Sequence, residues 1–278
     1  MADPSPPYAG PRADVGVIGG SGLYSFFDEA EQVEIDTPWG PPSDPLTLGS
    51  VAGCRVAFVP RHGRDHRFPP HRVNYRANLW ALRTAGVRDV LAPCAVGSLR
   101  LELGPGTFVV PDQLVDRTWG REHTVYGEPG PVAHIGFADP YCPRGRATVL
   151  RVAGQRDLRS EDGGTLVIVN GPRFSTRAES RWHGAQGWSI VGMTGAPEAA
   201  LARELALCYT AVAVVTDYDA GVDTSAGVTQ AEVFAVFAAN TDRLRTLLTA
   251  VISALPAAGS DCPCRHALDG LVLPFALP

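Results

Sequence analysis

Short, continuously apolar runs recur along this chain, separated by longer stretches whose apolar residues have helical spacing. The runs Val15-Gly16-Val17-Ile18, Arg55-Val56-Ala57-Phe58-Val59, Val87 to Leu91, Phe108-Val109-Val110, Leu166-Val167-Ile168-Val169 and Ala211 to Val215 are rich in β-branched residues and predict strands. Continuous rather than alternating apolarity predicts a sheet covered on both faces. The clearest helix begins near Thr229, places Val233, Phe237, Leu244, Leu248, Val251 and Ile252 on one broad stripe, and ends before Pro256. A second runs from about Asn74 to Ala85 and stops at Gly86, and a third, Glu198 to Ala206, follows Pro197. Strands alternating with helices predict the α/β class, with a mixed central β-sheet flanked by helices in a single domain.

The chain has 278 residues, 45% of them hydrophobic, enough to bury a large core, and no linker divides the middle. We expect a flexible segment over 1–13, one domain over 14–255 and a tail over 256–278. Net charge is −5, with 24 Lys plus Arg spread thinly, so there is no basic stripe for nucleic acid and a small-molecule partner is expected. Met1 to Asp14 lacks the features of a secretory signal, and no apolar run approaches the roughly 20 residues of a membrane span. A cytoplasmic protein is expected.

Six cysteines in a chain this long do not form a disulfide framework. Cys54, Cys94, Cys142 and Cys208 lie in or beside apolar segments, where a thiol behaves as a small hydrophobe. Cys262-Pro263-Cys264, followed by Arg265 and His266, reads as a disulfide-like clip, a weak metal site or a mobile tail. The tail is preferred, since one short cluster supplies too few ligands for structural zinc. No metal is expected.

Candidate chemistry lies at the ends of the predicted strands. Gly19-Gly20-Ser21-Gly22 is either a bare tight turn or an anion cradle of backbone amides and the Ser21 hydroxyl. Arg61-His62-Gly63-Arg64 is either a solvated loop or a cationic strand end suited to phosphate. Two such features on consecutive strands favour a shared oxyanion site. Gly171-Pro172-Arg173-Phe174-Ser175 and Gly192-Met193-Thr194 carry a ring and a thioether that either sandwich a purine and a ribose or simply pack. Thr216-Asp217-Tyr218-Asp219 brings two carboxylates to the end of an apolar strand, where crowding raises the apparent pKa of one. A protonated carboxyl can donate to purine N7 while its neighbour accepts from the exocyclic amine. A metal pair, or a capping role for Asp219, is the competing use.

Taken in order with Val73 to Asn78, Ala95-Val96-Gly97-Ser98, Asp112-Gln113 and Pro197-Glu198, these motifs resemble those of the methylthioadenosine phosphorylases, in the trimeric branch of the purine nucleoside phosphorylases. The likeness covers Val15 to about Leu255. It implies a pentosyltransferase that splits S-methyl-5′-thioadenosine with inorganic phosphate as co-substrate, without cofactor, in purine and methionine salvage. It further implies a homotrimer or dimer of trimers. Ser21, Arg61, His62 and Thr194 would hold phosphate with the backbone at Cys94 and Ala95, and Met193 would lie under the ribose. Phe174 would pack on the base with Ser175 nearby, Asp217 and Asp219 would read the purine, Val233 would line the 5′ pocket, and His134 would reach a neighbouring subunit's 5′ group. Asp217, Asp219 and His62 are the expected catalytic side chains.

The chain departs from many relatives in having Cys94 where they have Thr, a poorer donor to phosphate. Its tail also differs, and Leu271, Leu273 or Phe275 would close over the pocket as the carboxy end does in several relatives. Relatives acting on 6-oxopurines tend to carry Asn at the position of Asp217, so adenine nucleosides are expected. Methylthioinosine or another 5′-deoxyadenosine is the alternative substrate, and a hydrolase or a non-catalytic nucleoside sensor is the rival reading.

Overall fold

The computed structural model describes residues 8–20, 27, 30–223, 227–256 and 260–278. The predicted strands appear as β1 (Val15–Gly19), β4 (Cys54–Pro60), β5 (Asp89–Ser98), β6 (Phe108–Val110), β9 (Thr165–Val169) and β11 (Cys208–Tyr218). They are joined by β2 (Ala30–Val33), β3 (Leu46–Val51), β7 (Gln113–Arg117), β8 (Ser160–Asp162) and β10 (Ile190–Gly192). All belong to one mixed sheet in the order β2-β3-β4-β1-β5-β10-β9-β7, with β11 and β6 branching from β5 and β8 pairing with β6.

Helices cover both faces, as continuous apolarity requires. Helices α1 (Tyr75–Thr84) and α4 (Glu198–Glu204) bury Leu79, Leu82 and Leu201 with Tyr209 and Ala211 of β11. Helices α2 (Pro143–Gly154) and α5 (Gln230–Ala254) bury Val149, Leu244 and Leu248 against Val212 and Val214, on the strand's other face. The starts of α1 and α5 follow from side chains the sequence supplies: Asn74 accepts from the Ala77 amide, and Thr229 forms a reciprocal capping box with Glu232. A fifth helix, α3 (Arg177–Ala185), has the same kind of box in Thr176 and Glu179. It is too polar to be legible from apolar spacing.

Of the segment expected to be flexible, residues 1–7 lie outside the described residues, and Ala13 at its end is buried, its amide donating to the Ala85 carbonyl at 2.9 Å. The tail, preferred above as mobile, is docked: Cys262 and Cys264 are 1% and 2% exposed, beside Cys142 and Cys208. Further on, the Phe275 ring lies 5.8 Å from Trp80 and 5.2 Å from Tyr126. The physical reason is that the two thiols find an apolar socket, while Arg265 reaches the buried Asp89 at 3.2 Å. No helix among the described residues is long and apolar enough to cross a membrane.

Candidate active site

The sheet opens at one place. Along one edge β5 pairs with β11 over its whole length, from Asp89 to Ser98. Along the other it meets β1 only over Asp89–Leu91 and β10 only over Gly97–Ser98. Between those two partners, among the described residues, no strand pairs with Cys94 and Ala95 on this edge, and there a cavity of about 420 Å³ forms. A divergence of strands is where ligand crevices arise in α/β sheets.

At the end of β4, Arg61 enters the cavity wall with its side chain only 2% exposed. Its Nε and Nη2 donate to Glu198 at 2.6 and 3.1 Å, and Nη1 donates to the Pro93 carbonyl at 3.1 Å. Tyr209 donates to the same carboxylate at 2.7 Å. Burial works against the Arg61 charge, but Glu198 outweighs it and holds the pKa above the ordinary arginine value. The guanidinium is thus a fixed cation with N–H donors to spare for an anion.

His62 is different in kind. Its Nδ1 lies 2.8 Å from the Phe68 carbonyl, which can only accept, so Nδ1 carries the proton and Nε2 is left as an acceptor. Burial, reinforced by the Arg61 charge, lowers its pKa to about 4. The imidazole is neutral near pH 7, and any oxyanion it contacts must bring its own hydrogen. Burial also pushes the Cys94 thiol up to about 11, so the side chain that replaces threonine is uncharged. Thr194, after β10, lines the same end of the cavity.

The opposite end is acidic. In β11 the register with β5 shifts between Val215 and Asp217, leaving Thr216 as an extra residue. A bulge of this kind re-aims the side chains beyond it. Asp217 and Asp219 both line the cavity as a result. Thr216 Oγ1 lies 2.7 Å from Asp217 Oδ2 and 3.2 Å from the Val96 carbonyl. Burial raises the Asp217 pKa to about 6, Thr216 pulling it down and the Asp219 charge pushing it up. Asp219 is 3% exposed, and its Oδ2 has no hydrogen-bond partner among the described residues. Gly97 makes room for the pair, because a Cβ there would meet Asp217 Oδ1 at 3.0 Å and the Asp219 Cβ at 3.3 Å.

Between these ends run the apolar walls. Phe174 and Ser175, on the loop between β9 and α3, face the cavity with Met193, and Val233 and Phe237 of α5 line it too. Gly171 is held at φ +64°, and a Cβ there would come 2.5 Å from the Met193 sulfur, so the loop backbone is locked against the thioether.

Of the expected site residues, Arg61, His62, Cys94, Ala95, Thr194, Phe174, Ser175, Met193, Asp217, Asp219 and Val233 share this cavity. Ser21 lies outside the described residues, although the preceding Gly20 lines the cavity. His134 is exposed on the long segment between β7 and α2 and does not line its own chain's cavity. Leu271, Leu273 and Phe275 do not line it either. Sequence reasoning assigned no role to Glu198, Tyr209 or Gly97. A carboxylate opening a helix in an apolar segment was the available signal for Glu198.

Comparison with known proteins agrees with this geometry. The phosphorylase superfamily profile matches residues 14–253. A purine nucleoside phosphorylase of Streptomyces coelicolor is 62% identical, over 96% of this chain and 98% of its own. An S-methyl-5′-thioadenosine phosphorylase of Mycolicibacterium smegmatis is 55% identical, over 95% of this chain and 99% of its own. Among solved structures, a methylthioadenosine phosphorylase from an antarctic soil metagenomic library superimposes with a TM-score of 0.87 at 38% identity, covering 94% of this chain and 92% of that one. The Schistosoma mansoni methylthioadenosine phosphorylase in complex with adenine gives 0.84 at 38% identity, covering 87% and 92%. A cavity at a split in the sheet, cationic at one end and acidic at the other, thus belongs to a member of the phosphorylase superfamily, in the branch that contains the methylthioadenosine phosphorylases.

Proposed function

We propose that this chain cleaves S-methyl-5′-thioadenosine by phosphorolysis, giving adenine and 5-methylthioribose 1-phosphate. The observation that carries the reading is the pairing of Asp217 and Asp219 at one end of a cavity whose other end holds the fixed Arg61 cation. Phosphate sits against Arg61, Thr194 and the backbone at Cys94 and Ala95 on the edge of β5 away from β11, with Ser21 as a further donor. His62 accepts the phosphate's own hydrogen at Nε2. The anion attacks the anomeric carbon with inversion while the glycosidic bond is largely broken, and its charge stabilises the cationic sugar. Met193 supports the ribose, Phe174 packs on the base beside Ser175, and Val233 and Phe237 give the methylthio group an apolar wall.

Asp217, whose pKa is raised to about 6, donates to N7 so that adenine leaves neutral. Asp219, buried with an unsatisfied oxygen, accepts from the exocyclic amine. The co-substrate is inorganic phosphate, and the route calls on no cofactor. We extend the proposal to a cytoplasmic homotrimer acting in purine and methionine salvage. Trp119 at 73% exposure is an aromatic surface suited to a subunit contact, and the exposed His134 is free to approach a neighbour's 5′ pocket.

A second reading rests on the Streptomyces coelicolor relative named a purine nucleoside phosphorylase, and would make 6-oxopurine nucleosides the substrates. Incubation with methylthioadenosine and with methylthioinosine, each with and without phosphate, separates the two by the base released. Adenine released only with phosphate supports the proposal, and preferential hypoxanthine supports the second reading. Release without phosphate makes the enzyme a hydrolase, and binding without turnover makes it a sensor.

A further inference from the structure

Four cysteines from three distant parts of the chain converge away from the cavity. Cys142 is the N-cap of α2, Cys208 opens β11, and Cys262 and Cys264 flank Pro263 in a 3-10 turn of the tail. All four are buried, at 0, 1, 1 and 2% exposure. Their sulfurs all lie within 4.8 Å of one another, with Cys142 and Cys262 at 3.5 Å. Cys142 and Cys208 supply the two ligands that the Cys-Pro-Cys motif lacked when read along the sequence.

We propose that these four side chains form a structural zinc site that clamps the carboxy-terminal tail to the domain. Spacing is the first argument. A disulfide holds two sulfurs at about 2.05 Å and leaves other sulfurs outside. A tetrahedral ion with Zn–S bonds of about 2.3 Å places every pair of its four sulfurs about 3.8 Å apart. Four mutually close thiols match the second arrangement, which asks only small shifts of the sulfurs. A closed set of four cysteines with no water position is the form that structural zinc takes.

The surroundings are the second argument. Four thiolates around one divalent ion carry net negative charge, and buried charge needs donors or counter-charge. The Gly145 amide donates to Cys142 Sγ at 3.4 Å, and Arg144 Nη2 lies 3.5 Å from Cys208 Sγ. Arg144 and Arg265 both pair with Asp89, which holds the two cations beside the cluster. Donors of this sort around the sulfurs orient metal ligands and moderate their charge. Helix α2 packs closely on β11 two residues beyond Cys208, where a Cβ on Gly145 would overlap the Thr210 hydroxyl.

The test uses the full chain, produced with zinc in the medium and purified in reductant without chelator. Elemental analysis is expected to find about one zinc per chain. A mercurial thiol reagent should release it in step with modification of the cysteines, and the denatured, metal-stripped protein should have the mass of six reduced cysteines. Substitution by Co(II) should give the visible absorption of a tetrahedral all-sulfur site. Cys264→Ser should lose the bound metal, while Cys54→Ser, which changes a half-buried thiol outside the cluster, should keep it. Where Cys264→Ser does not fold, the metal content and Co(II) spectrum of the unmodified chain decide. A metal-free protein lighter by two hydrogens for each bridge would make the cluster a pair of disulfides and overturn the proposal. A metal-free, fully reduced protein that takes up neither Zn(II) nor Co(II) on titration would overturn it equally. None of these readouts depends on the substrate the enzyme uses.

Discussion

Arg61 and Glu198 meet through two N–H···O bonds, at 2.6 and 3.1 Å, with both side chains almost wholly removed from solvent. The pair bridges the end of β4 to the start of α4, and Tyr209 of β11 completes it from beneath. Its consequence is positional: the guanidinium cannot follow a mobile anion, so the anion must come to it.

Removing the counter-charge leaves a buried cation unpaired, which typically costs about 3 to 5 kcal/mol. Glu198→Ala is therefore expected to lower unfolding stability by that order, measured in urea. Glu198→Gln keeps the volume and one acceptor, and should fold while raising the KM for phosphate several-fold and changing the nucleoside KM little. An unchanged phosphate KM in a folded variant would remove Arg61 from the anion site.

Asp217→Asn takes away the transferable proton that the proposed mechanism delivers to N7, while its amide can still hydrogen-bond there. Turnover is expected to fall about 10²- to 10⁴-fold, the usual worth of a general acid, with phosphate KM nearly unchanged. Equal losses in turnover and phosphate binding would sink the assignment.

The same carboxyl sets a pH dependence. With its pKa raised to about 6, Asp217 is fully protonated well below that pH and loses its proton as pH rises through it. The kcat/KM for nucleoside should decline on the alkaline side with an apparent pKa near 6, and the Asn variant should lack that limb. By the same sign, the stability this group contributes is present at low pH and is lost as pH rises through about 6.

Gly97→Ala would push a methyl group against both aspartate side chains, at 3.0 Å from Asp217 Oδ1 and 3.3 Å from the Asp219 Cβ. Relief of those contacts takes a shift of a few tenths of an ångström, well short of the roughly 1 Å that can cost about 10²-fold. Nucleoside turnover should drop by less than that, on the order of several-fold, while isothermal titration shows phosphate affinity retained.

Asp219→Asn replaces an acceptor by a group that can donate to a carbonyl. The ratio of kcat/KM for methylthioadenosine over methylthioinosine should fall by about 10- to 100-fold, as expected for leaving one buried polar group mismatched at about 1 to 3 kcal/mol. A ratio that stays constant would show that Asp219 does not read the base.

The strands that form the sheet's centre were legible because their apolar runs are continuous and β-branched, and α5 because its stripe is long. Strands β2 and β8 were not, since Ala30–Val33 and Ser160–Asp162 carry charged side chains and pair at the margins of the sheet. Helix α2 escaped notice for a related reason: Pro143 and Gly145 sit in its first turn, and arginines interrupt its apolar face. In the site, motifs at strand ends pointed to Arg61, Asp217 and Asp219 because charge at the end of an apolar run is conspicuous. Their supports stayed hidden, since the link between Glu198 and Arg61 spans 137 positions and depends on tertiary packing. The convergence of the four cysteines was hidden for the same reason, as its members lie up to 122 positions apart, from Cys142 to Cys264.

The extra residue at Thr216 divides β11 into two zones with separate duties. Up to Val215 the side chains are committed to cores on either face of the sheet, where any change of volume is felt throughout the fold. Beyond it, Asp217 and Asp219 face the cavity, with Thr216 and Gly97 as their close neighbours. Substrate preference can therefore drift at those two positions while the folding of the strand that carries them stays under independent selection. One sheet can in this way serve lineages that differ in the purine they accept.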